Sequence, residues 1–118
     1  MLTVSPYVTI YVYNTTVDMR KSINGLSTLL LEQFEQDPQT GDVFVFINRK
    51  RDKTKILYWD KNGFVIYYKR LEQGKFCRSH LFKDDKFVVS PTQLSALLMG
   101  IDFHAVSKDV RAEYRDFF

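Results

Sequence analysis

The side chains of this chain that could do chemistry are few, and none completes a set. Cys77 and His80 stand three residues apart, with His104 the other histidine. A structural zinc needs four ligands, so a Cys-x-x-His pair supplies half of a site. As nucleophile and base the same pair fails on geometry, because residues three apart on a strand point to opposite faces. Metal-dependent cleavage of nucleic acid would need converging carboxylates. Asp18, Asp60, Glu72 and Asp102 are the candidates, and each has a structural role instead: a first helical turn, a tight turn, the end of a basic strand and the end of a helix. No serine elbow, phosphate-cradling glycine loop or dinucleotide fingerprint occurs. The expectation is a protein with no catalytic set, no metal and no cofactor.

The chemistry that remains is cationic. From Arg49 to Arg78 there are ten lysines or arginines against Asp52, Asp60 and Glu72, a net of +7 in a chain of net +3, so the remainder carries −4. Charge polarised in this way either steers an anionic partner such as DNA, RNA or an acidic protein or serves as a solubilising face, and charge alone does not choose between them. Arg49, Lys50, Arg51, Lys53 and Lys55 cluster around Asp52, Lys69 and Arg70 close the segment, and Arg20 and Lys21 add a second basic pair. These nine are the candidate DNA contacts, reaching phosphates while Tyr58, Trp59 or Tyr67 stacks on exposed bases. The competing reading puts the aromatics, Trp59 above all, in the core. Lys69 and Arg70 are neighbours and point to opposite sides of a regular strand, so one of them joins a patch with part of residues 49–55.

What must position these residues is a hairpin. Ile56-Leu57-Tyr58-Trp59 turns through Asp60-Lys61-Asn62-Gly63 and returns as Phe64 to Tyr68, with Gly63 expected to supply the positive φ of a bulged closure. Apolar residues fall on both faces, so both faces need a cover. Val43 to Ile47 precedes the hairpin as an interior strand, giving an antiparallel meander with the basic loop at one end. Tyr7 to Tyr13 predicts a further strand, Val8, Ile10 and Val12 facing the core and the tyrosine row either packing at an edge or offering a binding surface.

Thr15 predicts the cap of a helix running to about Phe34, with Asp18 in its first turn and Met19, Ile23, Leu26, Leu30 and Phe34 as its apolar stripe. That places Arg20 and Lys21 where the helix dipole disfavours cations unless they are paired. Gly25 weakens this helix unless another backbone comes close. Residues 76–81 and 87–89 predict a second hairpin, and Ser90-Pro91 opens a second helix over residues 91–101 that Gly100 terminates or kinks. The fold class is α+β: an antiparallel sheet meander with one main helix packed across it and a second, C-terminal helix. At 118 residues the chain reads as a single domain over residues 1–103 and a C-terminal extension over residues 104–118, either a helix or a partner-binding tail. With one cysteine, no apolar run near ~20 residues and no secretory signal pattern, the expected compartment is the cytoplasm, with no membrane contact.

Several short stretches also resemble a known family. Thr16-Val17-Asp18-Met19-Arg20-Lys21 with Gly25-Leu26, Gly41-Asp42-Val43-Phe44-Val45-Phe46, Lys55-Ile56-Leu57-Tyr58-Trp59-Asp60 with Gly63, Lys69-Arg70-Leu71-Glu72 with Gly74 and Phe76, and Gln93-Leu94 with Gly100-Ile101-Asp102 occur in this order. In that order they resemble the small accessory protein encoded by the second open reading frame of insertion-sequence-66-type transposable elements, the TnpB protein of that class. The resemblance implies a non-catalytic accessory role in DNA transposition, with element DNA and a larger transposase as partners and an oligomer of the chain with itself allowed. It adds Asp60 and Glu72 to Tyr58 and Trp59 as candidates for partner contact. The chain departs from the family at Cys77-Arg78-Ser79-His80, where Trp-Pro is expected, and at Ser22, where the helix more often has Gly.

Overall fold

Val43–Ile47 is apolar at every position, and every one of its side chains is buried. Such a strand has to lie in the interior of a sheet covered on both faces. The computed structural model, which describes residues 7–77 and 85–101, shows that arrangement. The elements run β1 (Ile10–Thr16), α1 (Ile23–Gln33), β2 (Val43–Ile47), β3 (Lys53–Asp60), β4 (Gly63–Arg70), β5 (Lys86–Val89) and α2 (Pro91–Leu98). The strands form a five-stranded sheet in the order β4-β3-β2-β1-β5. Alternation along β2 divides the core. Phe44 and Phe46 meet Tyr13, Leu57 and the Leu26 and Leu30 stripe of α1 on one face. Val43, Val45 and Ile47 meet Ile10, Val12, Ile56 and Phe76 with Leu94 and Leu97 of α2 on the other.

The meander of β2, β3 and β4 is antiparallel as expected. The first strand differs from the expectation in two ways. β1 pairs with β2 in parallel, so α1 is the crossover connection that a parallel pair requires. β1 is also interior, because β5 pairs antiparallel on its other side. The tyrosine row therefore does not pack at an edge. Tyr11 stacks on Phe44 at 5.7 Å, and Tyr13 is wholly buried between Phe34 at 4.2 Å and Phe46 at 5.1 Å. Burial, and then the neighbouring Tyr11, push the Tyr13 hydroxyl above its ordinary range. Of the expected second hairpin, Phe76 and Cys77 lie in no strand and residues 78–84 lie outside the described residues.

α1 begins at Ser22, not at Thr15. The sheet competes for the intervening chain: the Val17 amide still donates to the Ile47 carbonyl at 3.2 Å, carrying the β1–β2 ladder past Thr16. Asp18 then folds a turn over Arg20, its carboxylate accepting the Arg20 amide at 2.9 Å. Arg20 and Lys21 thus precede the helix. At Gly25 the close neighbour is a side chain: a Cβ there would lie 3.2 Å from the Lys21 Cβ, so the Lys21 stem runs across the glycine. α2 follows the sequence closely. Ser90 Oγ accepts the Gln93 amide at 3.1 Å, the Ser90 amide donates to Gln93 Oε1 at 2.9 Å, and Pro91 takes the first position.

The hairpin between β3 and β4 closes on the pair Asp60–Gly63 with no bulge, and Lys61, at φ 55°, carries the left-handed backbone assigned above to Gly63. A lysine there bears strain that glycine would not. Lys61→Gly is expected to raise stability by up to about 1 kcal/mol after the entropy of glycine is subtracted, lifting the thermal midpoint by ~4 °C. A thermal melt followed by circular dichroism measures it.

A candidate nucleic-acid interface at one end of the sheet

The closed hairpin fixes which side chains are neighbours. Lys53 faces Arg70, and Lys55 faces Tyr68. By alternation from Leu57 and Ile66, which pack beneath α1, all four project from the α1 side. They lie at the carboxyl ends of β1 and β2, where the chain leaves the sheet for the Val17–Lys21 turn. The Lys55 ammonium donates to the Lys21 carbonyl at 2.7 Å and stands 5.7 Å from the centre of the Tyr68 ring. It ties the turn to the sheet.

The basic loop between β2 and β3 is a built turn. Asn48 Oδ1 accepts the amides of Asp52 at 3.1 Å and Lys53 at 3.0 Å, while its Nδ2 donates to the Asp52 carboxylate at 2.7 Å. Arg51 adopts φ 61°, and its carbonyl accepts the Phe76 amide at 2.6 Å, as that of Asp52 accepts Leu71 at 2.7 Å. The Asn48 amide, ahead of the charges of Lys53 and Lys50, holds the Asp52 carboxyl below its ordinary range. One asparagine therefore shapes the loop, leaving the side chains of Arg49 and Lys50 exposed.

Between this loop and the Val17–Lys21 turn lies an open hollow of about 750 Å³. Asp18 and Arg20 line it from the turn, Arg49 and Lys50 from the loop, and Lys53 and Tyr68 from the two strands. Asp18 is the acid within this set, and it grips Arg20 from two sides: Nη2 donates to Oδ2 at 2.7 Å and Nε to Oδ1 at 3.1 Å. The Arg20 hydrogen bonds, above all, lower the Asp18 carboxyl to about 2. A depressed carboxyl keeps its pair intact above the ordinary range near 3.8 and releases it as pH falls through about 2. In an NMR titration of the carboxylates Asp18 is expected to move with a midpoint of about 2, and Arg20→Gln to return it toward 3.8.

Arg70 shares the face of Lys53 and is paired with Glu72 at 2.8 Å. Lys21 follows Arg20 in the turn, its stem across Gly25. Lys69 lies on the opposite face, where its ammonium donates to the Leu98 carbonyl at 2.6 Å, a favourable cation at the carboxyl end of α2. Arg51 does not line the hollow. Tyr58 and Tyr67 pack against the α2-side core. Trp59 is half-buried edge-on to Phe64 at 4.9 Å, six residues from Lys53 along β3, or ~20 Å. Asp60 is in the turn at that same far end. The stacking candidates are thus separated from the cations.

The aromatic beside the cations is one that sequence reasoning passed over, Tyr68, 50% exposed. The signal was available. A two-residue closure between Asp60 and Gly63 makes Tyr68 the cross-strand partner of Lys55, whereas a bulged closure leaves that register open.

Asp18, Asp60 and Glu72 do not converge, and no group of three or more His, Cys, Asp or Glu among the described residues could hold a metal ion. Asp102, His80 and His104 lie outside the described residues. Among those residues no helix is long and apolar enough to cross a membrane.

A parallel strand pair bridged by one helix is thus extended by an antiparallel hairpin with a basic end. Residues 8–108 match the family of IS66 Orf2-like proteins, and the chain belongs to that family. It is 36% identical over 99 residues to the uncharacterized protein y4jC of Sinorhizobium fredii, covering 84% of each chain. A second protein of that organism, the uncharacterized y4hO, is 31% identical over 103 residues, or 87% of this chain and 89% of the relative. No solved structure matches. Family membership supports a non-catalytic accessory role of the IS66 Orf2 type in transposition.

Proposed function

We propose that the protein serves transposition by binding DNA of the element through the basic hollow, alone or alongside the transposase. Residues 1–103 act as the accessory domain, with residues 104–118 as an extension of it, and the setting is the cytoplasm. What supports the reading is that Arg20 and the Arg49, Lys50 and Lys53 group, from two stretches of chain, line one open concavity. Like charges gathered on one surface repel one another, and a polyanion relieves that repulsion. The cations are of the kind that neutralise phosphates and release counterions, so binding must weaken with salt, by about 0.9 in the log-log slope for each duplex phosphate neutralised. Titration of element-end DNA across salt concentrations tests this. A slope of several units is expected, and a slope near zero sinks the proposal.

A second reading, an adaptor that holds the transposase with no strong DNA contact of its own, is favoured by the exposed apolar side chains of Leu31, Val88, Met99 and Ile101. Co-purification with the transposase after nuclease treatment separates the two, because a contact bridged by DNA is then lost.

A further inference from the structure

We propose that the hollow takes single-stranded DNA, with one unpaired base stacked on the ring of Tyr68. This rests on the basic surface being a DNA contact and adds which form of DNA it selects. On β4, Phe64 and Tyr67 are packed against the two cores, but Tyr68 is left half open. The open ring lines a concavity whose ~750 Å³ falls within the roughly 300–1,000 Å³ of ligand clefts. Lys55, its cross-strand partner, is braced by the Lys21 carbonyl and holds its ammonium 5.7 Å from the ring centre. The ring therefore stands beside a cation held in place by one backbone carbonyl.

Arg20, Arg49, Lys50 and Lys53 line the same hollow, so a base on Tyr68 has cations around it for the phosphates on either side. A duplex uses only half of this equipment. Its bases are stacked on one another and show the protein their edges, so phosphates of a duplex would meet the cations and leave the ring idle. A single strand offers both a free base face and a flexible backbone that enters a concavity.

The experiment is fluorescence anisotropy with a labelled oligothymidine of ~12 nucleotides and a duplex of equal length, using the full chain. Wild type is expected to bind the single strand more tightly. Tyr68→Ala should lower single-strand affinity by roughly 5- to 150-fold, the range for loss of one base–aromatic stack. Its duplex affinity should stay within about two-fold, and Tyr68→Phe should keep the single-strand preference. Tyr68→Thr, a good strand former without a ring, replaces Tyr68→Ala if circular dichroism shows the latter unfolded. A wild type that prefers duplex, or a Tyr68 variant that loses both forms equally or neither, overturns the single-strand assignment while leaving the basic surface standing. Binding of either form that is indifferent to Arg49→Ser, Lys50→Ser and Lys53→Ser together overturns both.

Discussion

Replacing Arg49, Lys50 and Lys53 together by serine is expected to reduce affinity for duplex DNA by about 500-fold at ~0.1 M salt and to flatten the log-log salt slope by about 2.7. Both figures follow from counterion release, each lost phosphate contact removing about 0.9 from the slope. The variant should remain folded. The loop is held by the Asn48 side chain on the backbone amides of Asp52 and Lys53 and by the Arg51 and Asp52 carbonyls, none of which is a side-chain group of the three substituted residues. Lys69→Met is the matched control. It removes one positive charge where the triple variant removes three, and from the opposite face, where the ammonium serves the Leu98 carbonyl. Its salt slope is expected to equal that of wild type. Filter-binding or anisotropy titrations at several salt concentrations read both effects, and a slope change of about 0.9 for Lys69→Met, one-third of that of the triple variant, would mean that net charge, not the hollow, governs binding.

The second large effect concerns stability. Phe76 lies outside any strand or helix yet is wholly buried in the α2-side core, and its amide donates to the Arg51 carbonyl. It therefore joins the core to the base of the cationic loop. Phe76→Ala removes a large ring from a site with little freedom to collapse and is expected to cost about 3–5 kcal/mol. Against a typical total of about 5–15 kcal/mol that is a large fraction, and the thermal midpoint should fall by ~15 °C or more. Leu31→Ala, on the exposed side of α1, should stay within about 0.5 kcal/mol of wild type. Urea unfolding followed by circular dichroism measures both. A Phe76 variant as stable as the Leu31 variant would contradict the packing described here.

The elements legible in the sequence were those specified by local signals. The all-apolar run of β2, the turn between β3 and β4, and the Ser90–Gln93 capping box each carry their own structural information. The rest depended on competition between distant segments. Thr15 and Asp18 look like a helix start, but the strand pairing that continues through Val17 and Ile47 holds that stretch in the sheet and passes the cap to Ser22. Nothing local to residues 7–13 tells a parallel partner from an antiparallel one. Phe76 carries no periodic pattern, so its burial could not be read.

At the site, alternation correctly separated Lys69 from Arg70. The same parity, carried from the Asp60–Gly63 closure, would have found Tyr68 and withdrawn Tyr58 and Tyr67, while Trp59 shares the cation face but sits at the far end of β3.

Mapping the DNA contact residue by residue by NMR tests the convergence account most directly. On addition of a short oligonucleotide, backbone amide shifts are expected at Arg20, Arg49, Lys50, Lys53, Tyr68 and Arg70, with the amides of Lys61 and Lys69 unmoved. Shifts concentrated around α2 and Lys69, or spread evenly over both faces of the sheet, would contradict it.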